Sequence, residues 1–381
     1  MAPLHRRLLA ALGAAVLGTL AAGVPAGAAA ADGGRPTAIV SMGDSFISGE
    51  GAGDYEPGTD QPGNFCHRSA NAEVHETTIA VDAQINLACS GAVTDNIGIG
   101  GTPQNGEQPQ ADHLRQVAKD YDVKLVTLTV GANDVGFTPL ILDCIKAYFL
   151  IAPRCEDTWA QKVPDGLAAA ATKVERNLAD IRAVMRADGY ADTDYQLVLQ
   201  SYSSPVTEDN RYSLTKLFHG CPIRDDDADW ARNVVVPAYS ATYARIARDT
   251  GVRLLDLGPF LRGHEACARG ITADQQWANG IVIDLAQIRN GLGENIVRQS
   301  LHPNAAGHAQ MGRCLGGFYA MSAPDAACVL GADGNATAVP RSVAAAAAPV
   351  TVTALPRQPE PDPYADPRNA AAARGDRHSR H

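Results

Sequence analysis

Apolar positions along the chain fall into two kinds of run. Thr37 to Met42 (TAIVSM), Gln84 to Ala88, Lys124 to Gly131 (KLVTLTVG), Tyr195 to Tyr202 (YQLVLQSY) and Val252 to Leu257 are short and rich in β-branched residues. Such runs suit strands buried on both faces of a parallel sheet. Between the third and fourth of them, Leu167, Ala171, Val174, Leu178, Ile181 and Met185 recur at steps of four and three. That spacing predicts one helix with a single apolar stripe, ending near Gly189, of the kind that links parallel strands. Two more helices are predicted over Ala228–Thr250, interrupted at Pro237, and over Asn304–Leu315. The alternation predicts an α/β fold with one five-stranded parallel sheet. Segments rich in Gly, Pro and Asn (49–64, 98–110 and 202–227) read as loops at the strand ends, and no internal repeat is found.

The ends of the chain carry a different pattern. His5, Arg6 and Arg7 precede an apolar run from Leu8 to Val24, and small residues Ala26 to Ala31 follow with A-x-A cleavage sites. Residues 1–31 therefore read as a secretory signal, with the mature chain starting near Asp32; the run is short and rich in Ala and Gly for a membrane anchor. The paired arginines leave the export route open between the general and twin-arginine pathways. Residues 32–330 are long enough for one large α/β domain with its own core, or for two small ones. After Cys328 the composition turns to Ala, Pro, Arg and Asp, so residues 331–381 read as a tail, disordered from about Asn335 onward. Its terminal RHSRH reads as a solvated end rather than a metal tract.

The formal net charge is −10, and removing residues 1–31 takes away Arg6 and Arg7 and no acid, which moves it to −12. That acidity argues against nucleic acid as a partner. No second long apolar segment is present, so no stable membrane insertion is expected, and the chain reads as a secreted, extracellular monomer. All eight cysteines (Cys66, Cys89, Cys144, Cys155, Cys221, Cys267, Cys314, Cys328) lie in the mature region. An even number in an exported chain favours disulfides over zinc, which would want a C-x-x-C pair or clustered histidines. Pairing each cysteine with its neighbour (66 with 89, 144 with 155, 221 with 267, 314 with 328) closes the smallest loops.

Four segments place candidate chemistry at the ends of these elements. The first strand runs into Gly43-Asp44-Ser45, and a serine at the carboxyl end of a central parallel strand stands where open α/β sheets hold their sites. The second strand leads to Ala88-Cys89-Ser90-Gly91, where Gly91 offers an unobstructed backbone N–H; the third leads to Gly131-Ala132-Asn133-Asp134, where Asn133 offers amide donors. With the Ser45 N–H, these donors can surround a developing oxyanion. Late in the chain, Ser300-Leu301-His302-Pro303-Asn304 sets a histidine on a loop just before a helix. Taken singly, these are an ordinary turn serine, a turn glycine, a helix-capping asparagine and a surface histidine; their order together points to catalysis.

That order, GDS near the mature start, a later Gly, then G-x-N-D and a late H-P, resembles the SGNH (GDSL-type) hydrolase family from about Thr37 to Leu315. The longer string SMGDSFISGEGAG, with paired cysteines, looks most like the secreted lipases and esterases of actinobacteria. The resemblance implies a flavodoxin-like three-layer α/β/α sandwich, Ser45 as nucleophile and first oxyanion donor, Gly91 and Asn133 as further donors, and His302 as general base. In the common family pattern an acid stands three residues before the histidine, and here that position is Gln299. The Gln299 carbonyl is therefore expected to accept the His302 Nδ1–H, with Glu294 as a substitute acid.

The expected reaction is hydrolysis of a small-molecule or lipid carboxylic ester through an acyl-enzyme, with no metal or organic cofactor. Asp44 and Asp134 are expected to hold the loops by bonding backbone N–H groups. The G-x-S-x-G elbow of α/β-hydrolases is absent around Ser45. A carbohydrate O-deacetylase on the same fold, and a non-catalytic wall or polysaccharide-binding protein, are the alternatives.

Overall fold

The computed structural model describes residues 34–150, 153–211, 216–281 and 299–346. The signal segment 1–31, Glu294 and the tail from 347 onward lie outside them. The elements below all belong to the unit that begins at Pro36.

β1 (Thr37–Gly43), β2 (Ala83–Asn86), β3 (Asp122–Thr129), β4 (Gln196–Gln200) and β5 (Arg253–Asp256) form from the five β-branched runs. They pair in parallel in the order β2-β1-β3-β4-β5. Leu125 to Thr129 are buried without a gap, so both faces of the sheet are covered, which explains why β3 reads as continuous hydrophobicity. The covers are helices: α2 (Gln110–Asp120) and α8 (Val236–Thr250) pack with the long α6 (Lys162–Ala187), whose stripe Leu167, Ala171, Val174, Leu178, Ile181 and Met185 is buried.

The sheet has seven strands rather than the expected five. β6 (Asp325–Leu330) extends it in parallel beside β5, and β7 (Ala336–Pro340) closes it in the antiparallel sense. Both are short and half made of small or polar residues (DAACVL and ATAVP), too weakly apolar to stand out in the sequence. Cross-links and pairing fix them instead. Cys328 on β6 is bridged to Cys314 on α9 (Ala305–Tyr319), and the turn 331–334 returns the chain as a hairpin. Order therefore extends past Asn335, through β7 and α10 (Arg341–Ala346). The other bridges are 66–89, 144–155 and 221–267.

Pro237 acts as expected: α7 (Asp225–Trp230) passes through a wider π turn, Ala231–Val235, before α8 begins with the proline in its first turn. In the 2-1-3-4-5 order the strand sequence reverses about β1, and the loops after β1, β2 and β3 meet at one sheet edge. The site lies there.

Candidate active site

β1 ends in a turn that only glycine can make. Gly43 has φ 143, and a Cβ there would overlap the Thr129 carbonyl oxygen of β3. Gln110, at the start of α2, clamps the turn twice: Gly43 N–H donates to its Oε1 at 2.7 Å, and its Nε2 donates to Gly43 O at 2.8 Å. Asp44 then caps the short helix α1 (Ser45–Ser48), its Oδ1 accepting from Phe46 N at 3.0 Å. Its Oδ2 accepts from the buried Tyr202 hydroxyl at 2.5 Å. Burial pushes the Asp44 carboxyl up to about 7, against the lowering effect of those two bonds.

His302 arrives from the other end of the chain. Its backbone O accepts from Asn279 N at 2.9 Å, Asn304 N donates to Trp277 O at 3.0 Å, and Pro303 pairs with Ala278, so residues 277–279 hold the histidine loop. Asn304 caps α9 by accepting from Gly307 N at 3.0 Å. Leu301 adopts φ 59 and bends the loop so that Ser300 O comes 2.9 Å from His302 Nδ1.

That contact corrects one expectation. The carbonyl beneath Nδ1 belongs to Ser300, not Gln299, because the left-handed bend at Leu301 turns the carbonyl two residues back toward the ring. Gln299 O instead faces Asn279 Nδ2 at 3.4 Å. A carbonyl can only accept, so Nδ1 carries the proton and Nε2 presents its lone pair. Nε2 lies 2.8 Å from Ser45 Oγ. Both side chains are buried, and the distance is within reach for proton transfer from hydroxyl to imidazole.

Asn133 is the second residue of α3 (Ala132–Val135), which follows β3, and borders the same cleft as Ser45 and His302. Its Nδ2 donates to Ala92 O at 2.9 Å, which orients the amide and leaves its second N–H. Asp134 binds Thr94 N and Oγ1 at 2.9 and 2.6 Å, tying the loop after β3 to the loop after β2. Gly91 lies in that second loop with φ 78; it is exposed and does not border the cleft itself.

The cleft holds about 860 Å³ of space open to solvent. Besides Ser45, His302, Asp44, Asn133, Ser203 and Ser204 its walls are mainly apolar: Phe46 from α1, Phe137, Leu140 and Ile141 from α4 (Phe137–Phe149), Val163 from α6 and Val235 from the π turn. Phe137 meets the His302 ring edge to face, centroids 6.3 Å apart. Among the described residues no group of His, Cys, Asp and Glu is arranged to hold a metal ion.

Residues 41–310 match the family model of the GDSL-like lipase/acylhydrolase family. The chain belongs to that family. It is accordingly a carboxylic ester hydrolase with the family's α/β fold. Similar solved structures include a phospholipase A1 from Streptomyces albidoflavus, at 21% identity and TM-score 0.48, covering 72% of this chain and 95% of that one. An extracellular lipase from Streptomyces rimosus is similar at 22% identity and TM-score 0.42, covering 71% and 94%. A carbohydrate acetylesterase from Sinorhizobium meliloti is similar at 12% identity and TM-score 0.31, covering 68% and 96%. No curated protein matches the chain.

Ser300, Gln110, Tyr202 and Asn279 shape this site and were missed by sequence reasoning. Each acts through a backbone carbonyl or a lone polar side chain, which leaves no spacing pattern to read.

Proposed function

We propose that the chain is an exported esterase or lipase that cleaves carboxylic esters of apolar acids through a Ser45 acyl-enzyme. His302 Nε2 takes the Ser45 proton as Oγ attacks the ester carbonyl, and the imidazolium then protonates the leaving alkoxide. Water, deprotonated by the same imidazole, releases the acid. In this reading the Ser45 N–H and the Asn133 amide donate to the developing oxyanion at the cleft, and Gly91, outside the cleft lining, would join them as the third donor only through a shift of its loop. The 2.8 Å approach of Nε2 to Oγ is the observation that carries this reading.

The apolar walls favour a fatty acyl group over acetyl. Each buried methylene contributes up to ~0.8 kcal/mol, so several together favour an octanoyl over an acetyl ester by well over ten-fold in kcat/KM. An acetyl group would leave most of the cleft unfilled. A p-nitrophenyl ester series tests this: kcat/KM is expected to rise from acetate to octanoate. Highest activity on acetate and on acetylated xylan would instead make the chain a carbohydrate deacetylase. Export is supported by the four bridges, which suit an oxidising compartment.

A further inference from the structure

The turn 88–92 after β2 carries Gly91 and is fastened to two parts of the site. Cys89 N donates to Gly43 O at 3.0 Å, two residues before the nucleophile, and Ala92 O accepts from Asn133 Nδ2 at 2.9 Å. Gly91 therefore lies in the chain between a residue tied to the nucleophile turn and a residue tied to the Asn133 amide.

A second loop holds this turn from outside. Gln104 and Glu107 exchange backbone hydrogen bonds of 3.0 and 2.8 Å across a tight bend, with Asn105 at φ 51. Glu107 anchors the bend: its carboxylate accepts from Arg68 at 2.9 and 2.6 Å and from Asn64 Nδ2 at 2.6 Å. Asn105 Nδ2 donates to Cys89 Sγ at 3.2 Å, on the bridge to Cys66. From this loop Gln104 reaches the turn, its Nε2 donating to Ser90 O at 2.9 Å. The reversed amide would set oxygen against oxygen. Gln104 Oε1 is buried and has no hydrogen-bond partner among the described residues, a cost that the Ser90 bond has to offset.

The Ser90 carbonyl and the Gly91 N–H belong to one planar, trans peptide unit, so its oxygen and its hydrogen point in opposite directions. Holding the oxygen toward Gln104 turns the Gly91 N–H away from the 104–107 loop. Glycine at 91 lets that unit rotate when nothing holds it. We propose that Gln104 is a positioning residue for ester hydrolysis: by fixing Ser90 O it sets the direction of the Gly91 N–H, so that the shift of the turn toward the cleft brings this donor to the oxyanion already aimed. The proposal rests on the Ser45 acyl-enzyme reading with Gly91 as third donor. The Asn105 contact with the Cys66–Cys89 bridge and the Glu107–Arg68 pair join loop and turn, so the two move together.

A thionoester, in which sulfur replaces the carbonyl oxygen, accepts hydrogen bonds poorly. The ratio of kcat/KM for an oxygen ester to that for its sulfur twin therefore reports the oxyanion donors. Gln104→Ala is expected to lower kcat on the oxygen ester about ten-fold with KM within about three-fold, a part of the roughly 10² to 10³ that a full donor contributes. The ratio should fall by about as much, whereas a general loosening of the fold slows both esters alike. Gln104→Glu keeps the shape and loses the N–H, and at neutral pH it should behave as Gln104→Ala does. A wild-type ratio in both variants, with wild-type near-UV circular dichroism in either, overturns the proposal. Asn133→Ala, assayed alongside, separates this failure from that of the reading beneath it. A ratio lowered in Asn133→Ala alone removes only the part given to Gln104, and a ratio lowered in none of the three removes the oxyanion arrangement with it.

Discussion

Tyr202→Phe removes one oxygen from beneath the nucleophile turn, and its cost should depend on pH. The hydroxyl serves two buried partners: it donates to Asp44 Oδ2 at 2.5 Å and accepts from Ala132 N at 3.3 Å. Orphaning a buried donor or acceptor costs about 1 to 3 kcal/mol, more when the group is charged. The Ala132 share is present at every pH. The Asp44 share depends on ionisation, since this carboxyl is pushed up to about 7 by burial and lowered by the Tyr202 bond. A carboxyl raised in the folded state supports stability fully below its unfolded value and loses that support as pH rises through its folded value. Without Tyr202 the folded value rises further, so the loss continues past 7.

At pH 5 Asp44 is protonated in both proteins and the variant should lose about 1 to 2 kcal/mol. At pH 8.5 the loss should be larger by about 1.4 kcal/mol for each unit by which the carboxyl has risen. Glu73 is also pushed up to about 7 by burial, but it is common to both proteins and cancels. Urea unfolding of both proteins at the two pH values measures the difference. Equal losses at pH 5 and pH 8.5, or a smaller loss at 8.5, would refute the coupling between Tyr202 and Asp44.

Asn133→Ala should lower kcat by about 10² to 10³ with KM little changed, the signature of a donor that acts on the transition state; steady-state kinetics on one ester suffices. Gln299→Ala should keep most activity, because the carbonyl beneath Nδ1 belongs to Ser300; a loss above ten-fold would show that the glutamine side chain matters. Val163→Trp fills the far wall of the cleft and should move the preference toward acetyl and butanoyl esters, with octanoate activity falling at least about ten-fold for the methylenes left unburied. Unchanged chain-length selectivity would put the acyl group elsewhere.

The sheet and its main crossover helix were legible because two simple periods carried them. β1 and β3 showed as continuous β-branched runs since neighbours cover both faces, and α6 showed as a stripe at steps of three and four. β6 and β7 were not legible, for their order comes from pairing and the Cys314–Cys328 bridge rather than from hydrophobicity. At the site, Ser45, Asn133 and His302 could be named because the chemistry needs those side chains. The partner of His302 Nδ1 could not, because any residue supplies a carbonyl and the choice between Ser300 and Gln299 turns on one φ angle at Leu301. Asp44 and Asp134 were correctly read as loop holders, while the Tyr202 bond joining β4 to the nucleophile turn spans 158 residues and leaves no local mark.

The measurement that bears most directly on the account is active-site labelling by a fluorophosphonate, read by intact-protein and peptide mass spectrometry. One equivalent should attach at Ser45, none in Ser45→Ala, and the labelling rate should fall by orders of magnitude in His302→Ala. Label on another residue, or an unchanged rate without the imidazole, would contradict a serine made nucleophilic by His302.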